Sequence, residues 1–136
     1  MMGFAPGQIA GYGAFSVLLV SVITKFYMSF VVRTKAIMLG PVKGEEYLMT
    51  TPVVFASKTQ LNVAEYDALL MVCLMFMYFK QLDSVLVTIV SITMPVSQLV
   101  FFTVRLATGS GASSPAGALP RYISLILSLI IIFNNI

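Results

Sequence analysis

Apolar residues fall in long runs separated by short polar stretches, and the run lengths set the expected elements. The first run covers 10–32 and ends at Arg33-Thr34-Lys35, the second covers 62–79, the third 84–104 and the fourth 121–133, closed by Asn134-Asn135-Ile136. About 20 consecutive apolar residues cross the hydrocarbon of a bilayer as a helix. The pattern therefore predicts an all-α membrane protein, a bundle of four transmembrane helices forming one domain over 1–136. The fourth run is brief, and it is read as a span because its C-terminus can finish among headgroups. Only 80–83 separate the second and third runs, which predicts a tight antiparallel hairpin. The first run has no basic stretch before it and no small-residue cleavage pattern after it, so it is read as mature protein and not a signal peptide.

Composition agrees, with 59% hydrophobic and 10% charged residues and a mean hydropathy of +0.98. Such values lie outside the range of ordinary soluble domains. The chain has no His and a single Cys73, inside the second run. Zinc, haem and disulfide arrangements need several such ligands at set spacing, so none is expected.

Charge placement predicts orientation. Of 8 Lys and Arg residues, Arg33, Lys35, Lys43, Lys58, Arg105 and Arg121 flank the first and third connections, and Lys80 stands alone on the opposite side. The positive-inside rule puts those two connections on the cytoplasmic side and both termini opposite. The basic pI near 9.2 then reflects topology. No aromatic-interleaved basic stripe points to nucleic acid. The 107–117 stretch, rich in Gly and Ser, reads as a flexible linker.

Chemistry enters with the polar residues that lead into the second run. Glu65 stands at the edge of hydrocarbon, where a carboxylate needs a partner, a wet cavity or a ligand. Lys58, Asn62 and Glu65 are spaced i, i+4, i+7 and share a face of a helix beginning near Lys58. Gln98, Phe101, Phe102 and Arg105 share a face of the third helix, and Arg121 opens the fourth. A helix-end ion pair and interfacial anchors would account for any one of these residues. Lys58, Gln60, Asn62, Glu65, Arg33, Arg105 and Arg121 together at one end of a small bundle point to a pocket for a charged ligand. Lys25, inside the first run, either snorkels to the headgroups or pairs with Glu65 or Asp67.

The string Lys58-x-Gln60-x-Asn62-x-x-Glu65-Tyr66 resembles the second-helix motif of the MAPEG family, the membrane-associated proteins in eicosanoid and glutathione metabolism. It is closest to the branch with Arg-x-Gln-x-Asn-x-x-Glu-Tyr, which holds leukotriene-forming synthases and microsomal glutathione transferases. Lys58 stands where that branch has Arg. Chain length, four runs, the short second turn and the charge bias agree over about 10–133.

The resemblance implies a homotrimer in the endoplasmic reticulum or another organellar membrane. Glutathione, as co-substrate, would bind between subunits near the cytoplasmic face, and a lipophilic electrophile would enter from the bilayer. Lys58, Gln60, Asn62, Glu65 and Tyr66 would contact glutathione, with Arg33 and Arg105 as further basic residues of the site. Arg121 would be the catalytic arginine that holds the thiolate. The family pattern Arg-Tyr-x-x-x-Tyr falls on 100–105, where Val100, Phe101 and Arg105 replace a cation and two phenols. Asp67 places an acid where the family has an apolar residue or Pro. These departures keep open a catalytically degenerate member serving as an accessory subunit of a larger membrane complex. A channel or proton-linked transporter using Lys25, Glu65 and Asp67 as a polar file is the third class.

Overall fold

The computed structural model describes residues 5–108 and 115–136, the side chains of 115–117 excepted. Among these, every regular element is a helix. α1 is one continuous helix, Gln8–Met38, whose Tyr27–Val32 stretch is wound as a π-helix. α2 is Pro41–Leu48, α3 Thr51–Phe79, α4 Val85–Thr108 and α5 Pro115–Phe133. α1, α3 and α4 are long and apolar enough to cross a membrane, whereas the apolar part of α5, Ala118–Phe133, is shorter. At 1.5 Å per residue, α1 and α3 reach well over 40 Å and overrun roughly 30 Å of hydrocarbon.

Two boundaries differ from the sequence expectation for local reasons. The first helix runs past Arg33 to Met38, because a positively charged residue at the membrane edge marks the end of hydrocarbon and not of helix. The stretch read as a connection over 38–59 is largely helical. Gly40, at φ 82°, and Pro41 open α2, and Pro52 sits in the first turn of α3, which starts at Thr51 and not near Lys58 as expected. The 107–117 linker lies mostly outside the described residues.

The expected hairpin is present. Leu82 N–H donates to Met77 O at 3.0 Å and Gln81 N–H to Tyr78 O at 3.0 Å, with Gln81 in the left-handed region at φ 54°. This closes the end of α3 as glycine usually does. Ser84 then caps α4, its hydroxyl accepting from Val87 N–H at 3.2 Å.

Packing is organised as two apolar clusters. The larger joins Ala10, Ala14 and Val17 of α1 to Leu70 and Leu74 of α3 and to Val87, Val90 and Met94 of α4. The smaller joins Val63 to Phe101 and Phe102. The outward faces stay apolar, with Phe15, Val22, Val72, Ile92 and Ile126 all exposed, as suits contact with lipid. Lipid tails solvate such surfaces as well as protein does, so close backbone approach does much of the holding. Gly13 shows it: a Cβ there would stand 2.8 Å from the Ser91 carbonyl oxygen on α4. That carbonyl is the one deprived of its helical partner by Pro95 four residues on.

Gly13→Val should therefore wedge α1 from α4 and lower stability by about 1–3 kcal/mol. Thermal unfolding in detergent checks it, with Ala68→Val on the exposed face as the control expected to leave the midpoint unchanged.

Candidate functional site

Between the two apolar clusters lies a polar layer. On α3 the buried positions Thr59, Val63, Asp67, Leu70 and Leu74 follow helical spacing, so Asp67 occupies a core position and is only 4% exposed. Gln98 takes the matching place on α4 at 0%, and Arg121 on α5 at 1%. Gln98 Nε2 donates to Asp67 Oδ1 at 2.8 Å, and Arg121 Nη1 donates to Gln98 Oε1 at 3.1 Å. One amide orientation alone gives its N–H₂ to the carboxylate and its oxygen to the guanidinium. Ser21 of α1 stands beside the same carboxylate. Asp67 Oδ2 and Arg121 Nε are buried without partners.

Rings close the layer around the guanidinium. The Arg121 carbon lies 3.8 Å from the Tyr66 ring centre, 4.2 Å from that of Phe101 and 5.7 Å from that of Tyr122. The Tyr66 hydroxyl donates to the Tyr122 hydroxyl at 2.9 Å. Arg105 sits 5.1 Å from the Phe101 ring and 4.5 Å from that of Phe55, so Phe101 serves two guanidinium groups. The ring at 101, where the resembled family carries a phenol, thus works here as a cation–π platform.

A second cluster lies between α1 and α3. Lys25, Arg33, Lys58, Gln60, Ser29 and Ser57 contribute the polar lining of a cavity of about 450 Å³, and no acidic residue lines it. It adjoins an apolar groove of about 490 Å³ that includes Leu18, Val22, Phe26 and Phe30 and shares Lys25, Ser29 and Gln60. The π-helical turn lies between Lys25 and Arg33, and its Met28, Ser29 and Val32 face the cavity. Such turns often mark functional positions.

The expected residues are thus divided. Arg33, Lys58 and Gln60 meet at the basic cavity, and Tyr66, Arg105 and Arg121 meet at the polar layer. Glu65 is exposed, and Asn62 is half-buried with Oδ1 unpartnered, and neither lines either cavity. Lys25 belongs to the basic cavity, and the carboxylate of Asp67 goes to Gln98. Cys73 is buried in the larger apolar cluster. Among the described residues no group of three or more His, Cys, Asp or Glu side chains could hold a metal. No family model, no curated protein and no solved structure matches the chain.

Removing one partner of a buried charge pair strands the other, at a cost of about 3–5 kcal/mol, whereas replacing both by apolar residues is often neutral. Arg121→Met should accordingly destabilise the protein strongly. The triple variant Asp67→Leu, Gln98→Leu and Arg121→Met, which removes every member of the relay, should recover most of the loss, as read by thermal unfolding in detergent.

Proposed function

We propose that this chain is a MAPEG-like membrane protein that binds glutathione and transfers it to a lipophilic electrophile. The observation that carries the reading is the acid-free basic cavity of Lys25, Arg33 and Lys58 opening beside an apolar groove. Glutathione has two carboxylates that such a cavity would hold through charge-assisted bonds, and a bilayer-borne substrate would reach the same place along the groove. In this reading α5 also crosses, so that four helices span the membrane of the endoplasmic reticulum or another organelle. Protomers associate as trimers through α3, where Asn62 and exposed Glu65 present polar groups that lipid does not solvate. Association would bring these two residues, with Tyr66 and Arg121, to the basic cavity of a neighbouring protomer. Arg105 would supply further positive charge.

Arg121 would then act on the reacting atom. Its guanidinium keeps its proton at any physiological pH and favours a nearby thiolate, and its Nε–H is without a protein partner. The glutathione thiol gives its proton to solvent, the sulfur forms a bond to the electrophilic carbon, and the bonding pair of the displaced group leaves with that group. A second reading, a catalytically degenerate accessory subunit of a larger membrane complex, draws on a different observation. Arg121 is 1% exposed and shares its charge with Asp67 of the same chain.

Titrating purified protein with glutathione, while thiolate absorbance and conjugation of an aryl halide are followed, separates the two. The enzyme reading expects saturable thiolate formation, with Lys58→Ala and Arg33→Ala each weakening glutathione on the order of tenfold. No response, with stable co-purifying partners, selects the accessory subunit.

Four spans also make a topological prediction. In a Cys73→Ala background, a cysteine at Gln81 and one at Asn134 should be labelled from the same side of the membrane, and one at Gly40 from the other. Labelling of the Asn134 and Gly40 positions from one side would mean that α5 does not cross.

A further inference from the structure

The glutathione reading assigns no task to Asp67, although it is the most deeply buried acid of the described residues and ties α3 to α4. We propose that Asp67, acting through Gln98, is a positioning residue for Arg121: it fixes the guanidinium between two rings and sets how much positive charge the site presents.

Three features of the geometry lead there. Gln98 is fully buried and uses both ends of its amide, one for Asp67 and one for Arg121, so neither end is free to turn. Tyr66 and Phe101 lie within 4.2 Å of the guanidinium carbon and block its movement along the directions that Gln98 does not. The Nε–H is left unpaired, on a side chain 99% removed from solvent by these contacts. An arginine held in this way presents one edge and has little freedom to choose another.

Charge is set by the same relay. The groups around the guanidinium are Asp67 and Tyr66 from α3, Tyr122 from its own helix and Arg105, which shares the Phe101 ring, from α4, while neutral Ser21 from α1 faces the Asp67 carboxylate. Asp67 is the one carboxylate acting directly on Arg121. In a medium of low dielectric it offsets part of the positive potential that an anion near Arg121 would meet. Position and charge can therefore be separated by substitution. Asp67→Asn keeps an oxygen for the Gln98 amide to donate to and removes the charge. Gln98→Leu cuts the relay but also strips the buried carboxylate of its donor, so it reports position alone, as does Asp67→Leu at the other end.

The electrostatic half rests on the glutathione reading and the positional half does not, so the test has two readouts. Arg121 modification by phenylglyoxal, followed by mass spectrometry of the purified protein, reports position. It should be slow in the wild type and in Asp67→Asn, and on the order of tenfold faster in Asp67→Leu and Gln98→Leu. The thiolate fraction of bound glutathione, measured at a pH where thiolate is the minority, reports charge. It should rise several-fold in Asp67→Asn, on the order expected for removing one nearby opposite charge.

Wild-type labelling rates in both leucine variants would overturn the positional role. A thiolate fraction that is unchanged or lowered in Asp67→Asn would overturn the charge-setting role, since loss of a merely structural contact lowers it. A wild type that forms no thiolate would sink the glutathione reading and the charge-setting role built on it, and the labelling would still decide the positional one. If Asp67→Leu does not give monodisperse protein, Gln98→Leu carries the labelling comparison alone.

Discussion

A carboxylate and a guanidinium enclosed between two apolar clusters impose the constraint around which the bundle is arranged. Neither can reach water from where it sits, and neither is tolerated alone in such a medium. Gln98 stands between them because a neutral amide is able to donate to one and accept from the other. On α3, Val63 belongs to one cluster and Leu70 to the other, with Asp67 between; on α4, Phe101 and Met94 flank Gln98 in the same way. Sliding α3 along α4 by one turn would set Asp67 against an aliphatic or aromatic side chain. Apolar packing alone tolerates such slips, especially in lipid, where burial between helices gains little over burial in acyl chains. The polar layer thus supplies the register that Leu, Val and Met do not.

Legibility in the sequence follows from the same distinction. Long apolar runs announce α1, α3 and α4, since crossing hydrocarbon demands them, and a tight hairpin follows from their spacing, its connection one residue longer than 80–83 because Ser84 caps α4. Helix ends outside the membrane were misplaced because hydropathy reports where hydrocarbon stops, while Gly40-Pro41 and Thr50-Thr51-Pro52 report where helices start. The π-helical turn over Tyr27–Val32 leaves no mark in composition.

The site was legible as a list and not as an arrangement. Arg121, Arg105 and Tyr66 are brought together, and Arg33, Lys58 and Gln60 are brought together elsewhere, a division that spacing on one helix could not show. Asp67 was set apart by its place beside the Glu65-Tyr66 motif, although it lies at i+4 from Val63 and i−3 from Leu70. That spacing put it in the buried stripe from the start. Its partner lies 31 positions away on α4 and Arg121 another 23 beyond, separations at which no periodicity speaks.

Replacement of phenols by Phe101 and Arg105 also changes meaning once the contacts are known. A phenol at 101 would bring a hydroxyl that must be satisfied beside two cations, whereas the plain ring of Phe101 faces Arg121 at 4.2 Å and Arg105 at 5.1 Å with nothing further to satisfy. The hydroxyls of the neighbourhood sit instead on Tyr66 and Tyr122, bonded to each other at 2.9 Å over the guanidinium. Departure from the resembled motif on α4 therefore leaves a coherent arrangement, in which α5 supplies both the cation and a phenol. The consequence for function is specific. A ligand acting at Arg121 must approach by the edge that Gln98 and the two rings leave uncovered, and it meets a cation already shared with Asp67, so the strength of any anion site there depends on a residue that never touches the ligand.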